Sequence, residues 1–240
     1  PKEMLPILTK PLIHFAIEEA LNAGVISMNM VISKNKQIIQ NYFEPNEELD
    51  EVVKGTKKEE FLNDIHYLSN NCEFSYIKQK GMHGLGHAIY AGKPLIGNHP
   101  FAVILPDDLC INDGDSVLLQ MSQLKFLFPD CCIVAIQEVP MSSVHKYGVI
   151  EGNLIGNTTD LYRVSNMIEK PVQKEAPSNL AIIGRYILNP EIFDVLENTK
   201  KDDNGEIQIT DALMTLAKQG KVIAYKFKGI RYDCGSIKGY

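Results

Sequence analysis

Between Pro100 and Pro106 the chain reads Phe101-Ala102-Val103-Ile104-Leu105, five apolar residues with no polar break. A strand with one face in water alternates apolar and polar residues. An unbroken run rich in β-branched and aromatic types predicts a strand buried on both faces, and so a layered α/β fold with cover on each side. Pro106 ends the ladder because it has no N–H to give. Asp107 and Asp108 follow at the carboxyl end of this predicted strand, the edge at which open α/β sheets hold their ligands. Aspartate is also a common turn residue, and on this segment alone both readings stand.

Periodicity extends the pattern in both directions. The segment 1–7 is expected to be extended, with prolines at both ends. Leu12, Phe15, Ala16, Ala20 and Ala23 recur at helical spacing between Pro11, which suits a first turn, and Gly24, which suits a stop. Residues 28–33 read as a strand. Segments 36–43 and 57–69 read as helices, separated by a solvated excursion rich in Glu and Lys. A strand at 73–78, a glycine-rich loop, a helix at 87–92, the central strand, a helix at 116–128 capped by Ser116 or Asp115, and a buried strand at 132–138 follow. Such alternation predicts a largely parallel sheet covered on both faces. From Val139 the texture changes to strands at 147–150, 162–169, 180–188 and 222–228, with helices only at 190–196 and 210–219. The expectation is one domain of two halves, 1–138 and 139–240, sharing a mixed sheet to which the second half adds antiparallel strands.

With 240 residues, 45% of them hydrophobic, the chain can bury a sizeable core. A net charge of −6 argues against a general nucleic-acid or membrane-surface binder, so an anionic ligand must be held by local lysines, backbone N–H groups or a metal. No apolar run approaches the roughly 18 residues of a membrane span, and no secretory signal is read. The five cysteines form no CxxC pair and read as reduced thiols of a cytoplasmic protein. The chain opens at Pro1 on what reads as the middle of an element, so further sequence is expected upstream.

Four stretches could carry chemistry. The loop 79–88, Gln79-Lys80-Gly81-Met82-His83-Gly84-Leu85-Gly86-His87-Ala88, follows a predicted strand and opens a helix. It lets backbone approach a flat or anionic ligand, or is simply a tight turn. It is neither a P-loop nor the GxGxxG of a dinucleotide fold. Ile168-Glu169-Lys170-Pro171 leaves two charges at a strand end. Neighbours on a strand point to opposite faces, so Glu169 and Lys170 are not expected to form one simple ion pair. Lys2-Glu3 has the same ambiguity. In Tyr232-Asp233-Cys234-Gly235 the aspartate could cap a turn or supply a hard oxygen to a cation. The histidines are scattered, and no HExxH, GxSxG or SxxK pattern occurs.

The order of the motifs says more than any one of them. Pro1-Lys2-Glu3-Met4-Leu5-Pro6, Gln79 with Gly84-Leu85-Gly86-His87-Ala88, Leu105-Pro106-Asp107-Asp108, Tyr147-Gly148-Val149, Ile168-Glu169-Lys170-Pro171, Ser178-Asn179-Leu180-Ala181, 205–212 and Asp233-Cys234-Gly235 occur in that sequence. Along essentially the whole chain this resembles the bacterial UTP–glucose-1-phosphate uridylyltransferases, or UDP-glucose pyrophosphorylases.

The resemblance implies an α/β nucleotide-sugar transferase fold with a Rossmann-like, mostly parallel mixed sheet. Residues 1–138 would form the nucleotide-binding half and 139–240 the sugar-binding half. It implies UTP and glucose 1-phosphate as substrates, UDP-glucose and pyrophosphate as products, Mg²⁺ as cofactor and a homo-oligomeric assembly. Carried over, Gln79 would meet the uracil edge and Gly84 would let the base lie on the backbone. Asp107 and Asp233 would bind the metal. Lys2 and Lys170 would serve the phosphates of the nucleotide and of the sugar. Asp108, Gly148, Glu169 and Asn179 would line the sugar pocket. The family places a glycine-rich loop with an arginine before PKEMLP and a helical tail after Tyr240, and it usually has glycine where this chain has Lys80.

Elementary chemistry agrees with that assignment. Transfer between two anions asks mainly for positioning and charge neutralisation, and an ionised phosphate needs no general base. Two other readings share the motifs: a nucleotide-sugar-binding regulatory protein without chemistry, and a thymidylyltransferase of the same fold.

Overall fold

The computed structural model describes residues 1–33, 36–79, 81, 83–236 and 239–240. At its start Lys2–Met4 form a 3₁₀ turn, not the extended segment expected. The amides of Met4 and Leu5 reach back 3.0 Å to the carbonyls of Pro1 and Lys2. A proline ahead of the turn loses no amide that the turn needs. β1 (Pro6–Ile7) and β2 (Lys10–Pro11) pair antiparallel, and Pro11 delivers the chain into α1 (Leu12–Asn22). Gly24, at φ +81°, turns it out again.

β3 (Ser27–Ile32) and α2 (Gln37–Phe43) follow. The charged excursion is in fact a helix, α3 (Glu47–Val53). The Asn46 side chain accepts from the Leu49 amide at 3.1 Å, and acids fill the first turn, where the helix dipole favours them. α4 (Glu59–Asn71) leads to β4 (Glu73–Lys78), which lies parallel to β3. α5 (Gly84–Ala91) begins earlier than expected and runs into the short α6 (Lys93–Ile96).

β5 (Phe101–Ile104) turns through Asp107 into β6 (Asp108–Ile111). α7 (Val117–Leu127) is capped by Ser116, whose hydroxyl accepts from the Leu119 amide, and leads to β7 (Cys132–Glu138). The rest is β8 (Gly148–Leu154), β9 (Leu161–Glu169), β10 (Leu180–Leu188), α8 (Ile192–Asn198), α9 (Ile209–Ala217), β11 (Val222–Lys226) and β12 (Ile230–Asp233).

The main sheet runs β5-β10-β7-β11-β9-β8, and β8 returns to pair with the start of β10, so five strands close into a small barrel. Here the expectation of a mostly parallel sheet fails. Among the described residues β7–β11 is the parallel pair of this sheet, and its other pairings are antiparallel. The cause is insertion. β5 and β7 do run the same way, as a strand–helix–strand unit should, but antiparallel β10 lies hydrogen-bonded between them.

The apolar run at 101–105 also proves to be an end strand of that order, half-buried along its length, whereas 132–136 are completely buried. An apolar pattern reports on the two faces of a strand and is silent about its two edges. Both faces of the sheet are covered. Ile133 and Ala135 of β7 face a core shared with α1, α7, β3 and α4, while Cys132, Val134 and Ile136 face one built with α8 and α9. The strands of the two halves interleave, with β10 and β11 flanking β7.

All five cysteines are free thiols. Among the described residues no helix is long and apolar enough to cross a membrane.

Candidate active site

β6 and β12 form a two-stranded antiparallel ribbon beside the main sheet, in a register that sets Asp233 opposite Asp108. This pairing brings together two acidic motifs, one from the middle of the chain and one from near residue 240. The amide of Cys234 donates to the carbonyl of Asp107 at 2.7 Å. A Cβ built on Gly235 would lie 3.0 Å from Asp107 Oδ2 and 3.2 Å from Asp233 Oδ1, so two carboxylate oxygens border a space kept empty by a glycine.

Lys2 enters from the amino-terminal turn, with Nζ 2.5 Å from Asp107 Oδ2. Burial works against the charged ammonium, but Asp107, with Glu3 and Asp108, outweighs it and raises the Lys2 pKa. Asp233 accepts from the Tyr147 hydroxyl at 2.6 Å and from the Gly235 amide at 3.2 Å, and Arg231 lies 3.3 Å from its Oδ2. Burial opposes its ionisation, yet these partners hold it below the usual carboxylate range. Among the described residues no cluster of three His, Cys, Asp or Glu side chains forms a metal site. The arrangement is a pair of hard oxygens, of the kind that could serve a divalent cation.

Asp108 faces elsewhere. Its Oδ2 accepts from the Gly184 amide at 2.7 Å, and its Oδ1 meets Arg231 Nε at 2.6 Å and the terminal nitrogen at 2.5 Å. Burial pushes this carboxyl up, against the pull of Arg231 and the Gly184 amide. Gly184 has no room for a side chain, since a Cβ would lie 2.5 Å from Leu105 and 2.9 Å from Asp108 Oδ2.

Behind this turn Arg185 is buried against Glu19 in a forked pair at 2.8–3.0 Å. Nη1 donates to the carbonyl of Leu105, and Nη2, besides Glu19, to the carbonyl of Asp108. Glu19 in turn accepts from the Leu118 amide at the start of α7. One ion pair therefore ties α1, α7 and β10 to the turn that carries Asp107.

In the second half of the chain, Gly148 stands opposite Glu169 in the β8–β9 ladder. A Cβ on Gly148 would lie 2.9 Å from the Thr210 hydroxyl and 3.0 Å from Glu169 Oε2, and that hydroxyl donates to the same carboxylate oxygen at 2.6 Å. Lys170 departs from the strand rule applied to it. With φ at +44° it has left the extended conformation, so its Nζ swings to within 3.6 Å of Glu169 Oε1. Its amide donates to the Tyr147 carbonyl, and the same tyrosine's hydroxyl reaches Asp233, so one residue links the two sides. Asn179 sits one residue before β10, its carbonyl accepting from Val139.

At the glycine-rich loop, the Gln79 side-chain amide donates to His87 Nδ1 at 2.9 Å. Burial, with His83 and Lys201 nearby, lowers the His87 pKa, which suits an acceptor nitrogen. Gly84, at φ +87°, and Gly86 have a protein reason for lacking a side chain: a Cβ on either would lie 2.7 Å from the Ile207 carbonyl oxygen. Lys80 and Met82 lie outside the described residues.

Arg231, Tyr147, Thr210 and the Glu19–Arg185 pair were not singled out from sequence for these roles. One signal was present, since Arg231 and Asp233 are two apart on a strand and so share a face.

The chain matches the family described as nucleotidyl transferase over residues 1–240. It is 55% identical to a UTP–glucose-1-phosphate uridylyltransferase of Pseudomonas aeruginosa, covering 100% of this chain and 85% of that one. A solved UDP-glucose pyrophosphorylase complexed with UDP-glucose matches with a TM-score of 0.90 at 51% identity, covering 100% and 87%. A UTP-bound pyrophosphorylase from Acinetobacter baumannii matches with a TM-score of 0.88 at 33% identity, covering 100% and 83%. The chain belongs to the nucleotidyl transferase family, among its UTP–glucose-1-phosphate uridylyltransferases.

Proposed function

We propose that this site transfers a uridylyl group from UTP to glucose 1-phosphate with Asp107 and Asp233 holding one divalent cation, Mg²⁺. Enzymes of the family generally use a divalent metal, and two hard carboxylate oxygens around the space at Gly235 fit one. When bound, the cation neutralises phosphate charge.

The remaining work falls to the chain. Gln79, with its Nε2 occupied by His87, presents its carbonyl oxygen to the N3–H of uracil. Gly84 sits in the loop beneath the base. Lys2 exchanges its contact with Asp107 for the nucleotide phosphates. Glu169, aligned by Thr210, receives sugar hydroxyls in the pocket bordered by Gly148 and Asn179, and Lys170 receives the sugar phosphate. A phosphate oxygen of glucose 1-phosphate attacks the α-phosphorus of UTP in line. The new P–O bond forms as the bond to the β-phosphate oxygen breaks, and pyrophosphate leaves. The attacking oxygen is already ionised, so no general base is needed. Asp108, expected among the sugar ligands, is read instead as a support, because both of its oxygens already face protein donors.

The observation that carries this reading is the meeting of Asp107 and Asp233 beside Lys2, with Tyr147 joining Asp233 to Lys170. The test is Asp107→Ala. Pyrophosphate release is expected to fall by about 10²–10³-fold or more, while calorimetry still detects UDP-glucose binding. Full metal-dependent turnover in that variant would refute the metal assignment. Binding without pyrophosphate release in the unaltered protein would favour the non-catalytic alternative.

A further inference from the structure

We infer that Arg231 is a positioning residue that aims Asp233 at the cation, with Asp108 as its fixed anchor and Tyr147 as its wall. The inference rests on the reading that Asp233 is a metal ligand.

The Arg231 guanidinium is almost fully buried, its side chain 6% exposed. It forks onto Asp108 Oδ1 and also reaches Asp233 Oδ2. Asp108 cannot swing away, because its other oxygen is held by the Gly184 amide in a strand of the main sheet. The Tyr147 ring lies over the guanidinium, 4.8 Å from centroid to Cζ, and its hydroxyl donates to the same Asp233 oxygen that Arg231 approaches. Asp233 Oδ2 thus accepts from the Tyr147 hydroxyl and faces the Arg231 guanidinium, while Oδ1, which accepts from the Gly235 amide at 3.2 Å, lies on the side of Gly235 and Asp107.

This divides the labour between the two adjacent aspartates. Asp107 faces the reaction space, and Asp108 holds the arginine that orients the partner carboxylate. A lysine would supply the charge but not a planar fork that meets two carboxylates at once. Partners behind a metal ligand, when removed, typically cost about 10–100-fold in metal affinity.

The experiment is Mn²⁺ titration of the protein, followed by electron paramagnetic resonance of the free ion, with UDP-glucose present. UDP-glucose binding in EDTA serves as a control on the pocket. Arg231→Lys is expected to weaken Mn²⁺ by about tenfold or more, with UDP-glucose affinity in EDTA within about twofold of the parent. Should Arg231→Lys fail to fold, Tyr147→Phe keeps the stacked ring and removes only the hydroxyl. It is expected to weaken Mn²⁺ in the same direction and to raise the metal concentration needed for half-maximal turnover.

Mn²⁺ affinity unchanged in Tyr147→Phe and in any folded Arg231→Lys, while Asp233→Ala loses it, would overturn this inference alone. Unchanged affinity in Asp233→Ala itself would overturn the metal reading and this inference with it.

Discussion

Thr210 shows how one hydroxyl can fix the carboxylate proposed to receive the sugar. It is almost wholly buried at the start of α9 and donates to Glu169 at 2.6 Å. A hydrogen bond from a buried hydroxyl to a carboxylate is worth about 1.5–3 kcal/mol, or roughly tenfold and upward in an equilibrium constant. Thr210→Val keeps the shape and removes the donor, so Glu169 is left free to rotate. The KM for glucose 1-phosphate is expected to rise about tenfold, with the KM for UTP unchanged. Initial rates with each substrate varied in turn check this, and an equal rise for both substrates would deny Glu169 its place on the sugar side.

Among elements, the turn between β5 and β6 depends on a buried ion pair more than on its own residues. Arg185 satisfies two of the turn's carbonyls and is itself neutralised by Glu19 from α1. Removing one member of such a pair strands a charge in the interior, a cost of about 3–5 kcal/mol. Glu19→Ala should therefore lower the urea midpoint sharply, with a secondary loss of turnover as Asp107 shifts. That pair was invisible in the sequence, because a charged residue in a helix or strand carries no mark of its partner. Strands 73–78, 132–138 and 180–188 were legible to the residue, being short stretches rich in Ile and other apolar residues. α3 was not, since its helicity comes from an Asn cap and an acidic first turn in a stretch otherwise read as solvated. The acidic and Glu169-Lys170 motifs were legible as motifs. The ribbon register that unites Asp107 with Asp233, and the positive φ that turns Lys170 back, belong to tertiary structure.

Over the whole molecule, ionisation sets a stability plateau with two edges. Burial disfavours charge on Asp233 and Glu18, but hydrogen bonds and nearby cations win, and both titrate below their ordinary values. Their contribution is present above the unfolded carboxylate pKa of about 4 and is lost as pH falls through the lower folded values. Lys10, where Glu18 and Asp64 outweigh burial, and Lys221, held by Glu191, are raised. Their contribution is present below about pH 10.4 and is lost as pH rises through the folded values. The thermal midpoint should be level between roughly pH 5 and 10 as far as these groups decide it, and Glu18→Gln should soften both edges, the acid one through its own carboxylate and the alkaline one through Lys10. A midpoint scan across pH on both proteins checks this.

The interleaving of the strands also bears on how the protein is made. β7 is an apolar ribbon whose hydrogen-bonding neighbours are β10 on one edge and β11 on the other. A ribosome has finished β7 well before either neighbour exists, and at about 5–20 residues per second the wait for Lys226 is on the order of ten seconds. Until β10 is made, the nascent chain offers two bare edges of this apolar strand to its surroundings, and until β11 follows it still offers one. Yield, then, should respond to chaperone supply and growth temperature long before it responds to any change at Asp107 or Asp233.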